Sequence, residues 1–155
     1  MNALLTRRQL LVSTGSGLAS VGLAVTATDV AAAEPLTFSA FYKSRGVRGL
    51  EFSDRLLALN GRAVTITGFM APPLKAESAF FVLTAQPMGI CPFCQSDADW
   101  PDDIVVVILK AATAMTAAGS RLAVNGTLEV GSKTDATTGF VSQIRLVDAQ
   151  FAPAA

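Results

Sequence analysis

Ile104-Val105-Val106-Val107-Ile108-Leu109 is an unbroken apolar run, β-branched at every position but the last. Side chains in a strand alternate between two faces, so a run with no polar position is apolar on both and needs cover on both. Six residues are too few for a buried helix, and Pro101-Asp102-Asp103 just before them stops any preceding element. The run therefore reads as a central, fully buried strand, and the neighbouring segments must supply its cover.

Working outward, Ala79-Phe80-Phe81-Val82-Leu83-Thr84 is a second strand apolar on both faces. Before it, Ala63 to Met70 is rich in β-branched residues, with Val64, Ile66 and Met70 on one face and Gly68 where a bend or bulge fits. Pro72-Pro73 separates these two strands, because proline has no amide to give to a ladder. Downstream, Lys110 to Ala118 is alanine-rich and followed by Gly119, a pattern that predicts one or two helical turns with a glycine stop. Leu122 to Val130 alternates, with Leu122, Val124, Leu128 and Val130 inward; 131–139 is a polar hairpin loop. Phe140 to Phe151 returns as the last strand, with Ile144 and Leu146 on one face and a change of phase near Val147. Three strands, a short helix and two strands make the order of a mainly β, five-stranded OB-like barrel, with an open β-sandwich as the alternative. A barrel covers an all-apolar middle strand while leaving few exposed edges.

The barrel occupies residues 61–155. Residues 34–60 form an N-terminal arm and a short helix. The arm carries Leu36, Phe38, Phe41, Tyr42, Val47, Leu50 and Phe52 without a clean period, as expected of an extended or partly helical segment that packs aromatics onto the domain. Ser53-Asp54-Arg55-Leu56-Leu57-Ala58-Leu59 predicts the helix: Ser53 can accept from a free first-turn amide, Asp54 suits the positive end of the dipole, and Asn60-Gly61 ends it.

The first 33 residues read differently. Arg7-Arg8 precedes a moderately apolar run, Leu10 to Ala27, relieved by Gly15, Gly17 and Gly22 and closing near Ala31-Ala32-Ala33. This resembles a twin-arginine export signal cleaved after Ala33; an uncleaved N-terminal anchor is the competing reading. No cysteine stands near the cleavage site to take a lipid. Cleavage removes Arg7, Arg8 and Asp29, leaving 10 basic and 11 acidic residues, a net charge of −1. The expected location is the periplasm or the exterior, with no integral membrane span after processing. An oxidising compartment allows a cysteine pair to close.

Composition excludes several chemistries. The 155 residues contain twelve basic and twelve acidic side chains, so there is no clustered positive charge to displace counterions from phosphates, and nucleic acid is not the expected partner. Histidine is absent. That removes the commonest general base and metal ligand, and with them a serine hydrolase triad.

The rare residues gather instead in 86–101, Gln-Pro-Met-Gly-Ile-Cys-Pro-Phe-Cys-Gln-Ser-Asp-Ala-Asp-Trp-Pro, which joins the second strand to the third. Cys91 and Cys94 are the two cysteines, spaced C-x-x-C. Three readings compete. The pair forms a disulfide or dithiol that only shapes the loop, gaining little entropy from so short a ring. Or it is a redox pair, with Pro92 opening a short helix whose amides stabilise a Cys91 thiolate; Asp97, Asp99, Asp102 and Asp103 would oppose that thiolate. Or Met88, Cys91 and Cys94 form a soft ligand set for copper, or with Asp97 or Asp99 a harder one for zinc, and a dimer would supply four thiolates. A lone methionine is often core filler, which discounts Met88. The aspartates lack the glycine and glutamate of an EF-hand loop and read as a solvated loop with caps. Trp100 reads as a plug at one end of the barrel, or as a partner anchor.

Gly61-Arg-Ala-Val-Thr-Ile-Thr-Gly-Phe-Met-Ala-Pro-Pro73, Phe80-Phe-Val-Leu-Thr84, Cys91-Pro-Phe-Cys94 and Trp100-Pro-Asp-Asp-Ile-Val-Val-Val107 together resemble uncharacterised bacterial exported proteins related to the DUF3299 OB-like periplasmic family. The resemblance implies an OB-like fold in the cell envelope and a partner among envelope proteins or transporter components. It brings no reaction with it. The sequence thus points to a non-enzymatic exported binding or accessory protein whose C-x-x-C loop is structural or holds zinc or copper. The alternative is a periplasmic thiol-disulfide oxidoreductase using Cys91 and Cys94.

Overall fold

The computed structural model describes residues 33–46, 49–73, 77–89, 101–136 and 139–154. The leader with Arg7 and Arg8, and the stretch holding Cys91, Cys94, Asp97, Asp99 and Trp100, lie outside the described residues.

Eight strands form in chain order: β1 (Glu34–Pro35), β2 (Tyr42–Gly46), β3 (Gly49–Phe52), β4 (Ala63–Met70), β5 (Glu77–Thr84), β6 (Ile104–Ala114), β7 (Arg121–Thr134) and β8 (Val141–Pro153). A 3-10 turn at Phe38–Ala40 and the helix α1 (Asp54–Ala58) complete the described elements. The main sheet has the order β1-β4-β5-β6-β8-β7, and β7 pairs back onto β4. The five longer strands β4 to β8 therefore close into an OB-like ring. Its pairings are antiparallel except that of β6 with β8, which is parallel.

Alternation fills the ring. Val64, Ile66 and Met70 of β4 are fully buried, and so are Leu83 of β5, Val105 and Val107 of β6, Val124 and Leu128 of β7, and Ile144 and Leu146 of β8. Leu56 of α1 and Phe41 of the arm join the same core. The arm departs from a simple extended segment. Its residues Tyr42–Gly46 and Gly49–Phe52 pair as a separate hairpin, with Tyr42 stacked on Phe52 at 5.6 Å between ring centroids. β1 lies parallel on β4, Glu34 opposite Val64 and Pro35 opposite Thr65, so the arm is also stitched into the ring.

The helix start follows the sequence: Ser53 Oγ accepts from the Leu56 amide at 3.0 Å. Its end does too, with Gly61 at φ +79°. Gly68 differs. Its strand pairs with β7 without a break, and glycine stands there because a Cβ would come within 2.6 Å of the Thr84 carbonyl oxygen and 2.9 Å of Leu83 and Phe38. Close approach, not a bulge, requires it.

Two segments contradict their sequence reading. Lys110 to Ala114 is not helical but continues β6. The preference of alanine for helix is a few tenths of a kcal/mol per residue. It yields here to pairing of Thr113 with Ser78 and Ala114 with Glu77 on β5, which starts earlier than its apolar run indicates. Gly119, at φ +79°, serves a turn whose amide reaches Met70 O at 2.8 Å. The polar segment from Gly131 is likewise strand as far as Thr134, and the hairpin turns later, held by Asp135 N to Phe140 O at 2.8 Å. The phase change near Val147 is a bulge at Asp148, a non-glycine residue at φ 51°.

Candidate functional site

The β5–β6 hairpin carries apolar side chains on both faces, and the two faces have separate fates. Phe81, Leu83, Val105, Val107 and Leu109 enter the ring interior. Val82, Ile104 and Val106 point the other way and form a second buried cluster with Ala71, against which Met88, Ile108 and Phe140 pack. A ring of this size needs only one apolar face to fold. The apolar outer face is the feature that folding alone does not explain.

Among the described residues its cover is incomplete. Between β5–β6 and the β7–β8 hairpin lies a cavity of about 180 Å³. Ala79, Phe80, Val106 and Ile108 make its floor, Phe140 and Ser142 its wall, and Lys133 and Asp135 stand at its mouth. An apolar floor with a few polar groups at the rim is the usual build of a binding pocket.

The wall is held by a charge. Arg145 sits in register between Val106 on one side and Glu129 on the other, and it is 6% exposed. Its Nε donates to Glu129 Oε2 at 2.7 Å; its Nη1 donates to Gly131 O at 2.8 Å and to Ser142 O and Oγ at 3.2 Å. Lys133 Nζ donates to the same Glu129 oxygen at 3.2 Å. The hydrogen bond from Arg145 is the main reason the Glu129 carboxyl is held below its ordinary value, against a smaller opposing effect of burial; Lys133 adds to the lowering. Arg145 thus ties together the two strands that carry Lys133 and Ser142 to the cavity, with Phe140 in the turn just before β8. The sequence reading did not single out Glu129 or Arg145. Strict alternation around Leu128–Val130 and Ile144–Leu146 puts both on the outer face, which was the available signal; their adjacency needed the register.

The segment that carries the cysteines starts at the other end of this same face. Thr84 pairs with Ile104, and Ala85 N donates to Asp103 O at 2.9 Å, closing the base of the connection. The fully buried Thr84 Oγ1 lies 3.2 Å from Phe69 O and 2.5 Å from Gln86 O, which ties the outgoing chain to β4. Met88, picked from the sequence as a soft ligand, lies half-buried against the outer cluster. Cys91 and Cys94 lie outside the described residues. Among the described residues, no three histidine, cysteine, aspartate or glutamate side chains gather as a metal site. No helix among them is long and apolar enough to cross a membrane.

The class these features define is a mainly β, ring-closed OB-like domain with an apolar outer face. Among solved structures, a DUF3299 family protein from Pseudomonas aeruginosa PAO1 is similar to it, with a TM-score of 0.56 over 80% of this chain and 97% of that one at 15% identity. At that identity the likeness concerns the fold. No family model matches the sequence, and no curated protein matches it.

Proposed function

We propose that this chain is an exported cell-envelope binding or accessory protein that holds an apolar group of its partner in the cavity on the outer face of β5–β6. The observation that carries the reading is that cavity: an apolar floor that the described residues leave uncovered, with Lys133 and Asp135 at its mouth. The twin-arginine-like leader supports export to the periplasm, and Glu34, the first residue after the expected cut, already opens β1. The connection between Gln86 and Pro101 leaves from the edge of this face, and Cys91 and Cys94 act in it as a structural clip or as ligands for zinc or copper. The partner is an envelope protein or a transporter component.

Two measurements test this. Titration of the full-length protein with the fluorophore anilinonaphthalene sulfonate should give a single saturable site that Ile108→Trp abolishes by filling the cavity; equal fluorescence from both proteins removes the cavity from the reading. Native and then denaturing mass spectrometry of the exported protein, with thiol alkylation, addresses the cysteines. A stable disulfide, or stoichiometric zinc or copper lost on Cys91→Ser, supports the connector role. Ready exchange with glutathione through an exposed Cys91 thiolate would instead favour the oxidoreductase.

A further inference from the structure

The ring has a second opening, which begins at Leu109, one residue beyond the Ile108 that lines the cavity. The parallel pairing of β6 with β8 runs from Val106 opposite Arg145 to Leu109 opposite Ala149 and then stops. Both strands continue. β6 goes on through Lys110–Ala114, where only Thr113 and Ala114 pair with Ser78 and Glu77 of β5 after a break in register, and β8 goes on through Gln150–Pro153, held on its other side by β7. Among the described residues, no strand pairs with either stretch along the seam between them. The space there is about 450 Å³.

The bulge at Asp148 is where the strands part. From Val107 to Leu109 β6 advances two residues while β8 advances three, Leu146 to Ala149. The same extra residue is unmatched on the other side, where Thr127 opposes Val147 and Asn125 opposes Gln150. Asp148, at φ 51°, is that residue. Gly126 packs against the bulge, where a Cβ would be 3.1 Å from Ala149, Leu146 and the Val147 carbonyl. A bulge re-aims a strand, and this one turns β8 away from β6.

Lys110, Ala111, Ala112, Thr113 and Ala114 are all exposed. Natural edge strands are usually blunted by prolines, charges or a covering element. Here four of five residues are small and uncharged, over a length of about 16 Å at strand rise. Among the described residues, the seam is lined by Lys110 but by no acidic side chain. The chain itself shows how such a gap is closed. β4 pairs with β5 only at Phe69 and Met70, and the free edge before that point is taken by the extended residues Glu34–Pro35, with Leu36 N donating to Thr65 O at 2.9 Å.

We propose that the β6–β8 seam is a strand-docking site that takes one extended peptide segment of a partner protein, pairing its two edges with Lys110–Ala114 and Gln150–Ala152 and setting an acidic residue against Lys110. The occupant is a lone segment because it must offer two free edges. Each ring strand of a second folded copy is paired to a neighbour over most of its described length, so it brings one edge at most there. Small side chains at Ala111, Thr113 and Ala114 leave room for the incoming residues, and backbone pairing supplies affinity with little demand on sequence. The inference is independent of the outer-face cavity.

The test uses the full-length protein and a displayed library of random dodecapeptides. Selected peptides are expected to carry an acidic residue within a run of small and β-branched ones. N-methylation along either edge of a selected peptide should weaken binding about tenfold per backbone bond removed. Lys110→Glu should reverse the preference from acidic to basic peptides. Hydrogen exchange should show amides of 110–114 and 150–152 slowed by the peptide. Failure to select any peptide, insensitivity to N-methylation, or protection gained elsewhere would overturn the proposal. So would slow exchange at 110–112, which β5 does not pair, before peptide is added, since the chain's own residues would then already fill the seam.

Discussion

Replacing Glu129 with alanine should be the most revealing single change in the domain. The Arg145 side chain is 7% exposed, so its guanidinium has given up most of its water, and Glu129 is the carboxylate that meets it, at 2.7 Å. Losing that charge-assisted bond removes about 1.5–3 kcal/mol, and stranding a buried cation costs about 3–5 kcal/mol when the loss is complete. Two features reduce it here. Glu129 is 34% exposed, so water can enter, and Nη1 keeps its three oxygen acceptors. A loss of about 2–3 kcal/mol follows, or roughly 8–12 °C in Tm for a domain of this size. Glu129→Gln keeps an acceptor and should cost about half as much. Arg145→Met removes the buried charge itself, so the double variant Glu129→Ala/Arg145→Met should be more stable than the sum of the single changes by at least about 1 kcal/mol. Urea unfolding followed by circular dichroism measures all four proteins. If Glu129→Ala loses less than about 0.5 kcal/mol, or the double variant is additive within that margin, Arg145 is not held by this pair.

Four further outcomes follow from the same structure. Because the Glu129 carboxyl is lowered by Arg145 in the folded state, its stabilising effect is complete above the ordinary value of 4.5 and is lost as pH falls through the folded value. Acid unfolding below about pH 4.5 should accordingly be steeper in the parent than in Glu129→Gln, and equal slopes would contradict the assignment. Gly68→Ala drives a Cβ to 2.6 Å from the Thr84 carbonyl oxygen, so a loss of about 2–3 kcal/mol in urea unfolding is expected. Asp148→Val places a β-branched residue at φ 51° and should cost about 1–2 kcal/mol, whereas Asp148→Gly should not. Ser53→Ala removes the cap of α1 and should lower stability by about 1 kcal/mol, with amide exchange at Leu56 accelerating first.

What the sequence determined by itself is local in origin. Val64, Ile66 and Met70 had to share a face once the segment was extended, the run from Ile104 had to be covered on both sides, and Ser53 with Gly61 bounded a helix by capping and turn chemistry. The order of the five strands, read from these signals, was enough for an OB-like ring, although the helix read between the third and fourth of them is strand and turn. Tertiary structure decided the rest. Lys110 to Ala114 is strand because Ser78 and Glu77 pair with its far end, an interaction that no window around the alanines contains. The β7–β8 hairpin outgrows its polar composition because each further pair extends a ladder already in register. Glu129 and Arg145 became partners only when that register set them side by side. The C-x-x-C motif was legible because its spacing is local; Met88 alone of its candidate ligand set lies among the described residues, half-buried against Val82, Ile104 and Val106. The cavity was the least legible feature, since an open space belongs to no segment and exists only between Phe80 and Ile108 on one pair of strands and Lys133 and Phe140 on another. Local propensities of a few tenths of a kcal/mol per residue settle which elements form. Cooperative pairing and burial settle how long they run and what they bring together.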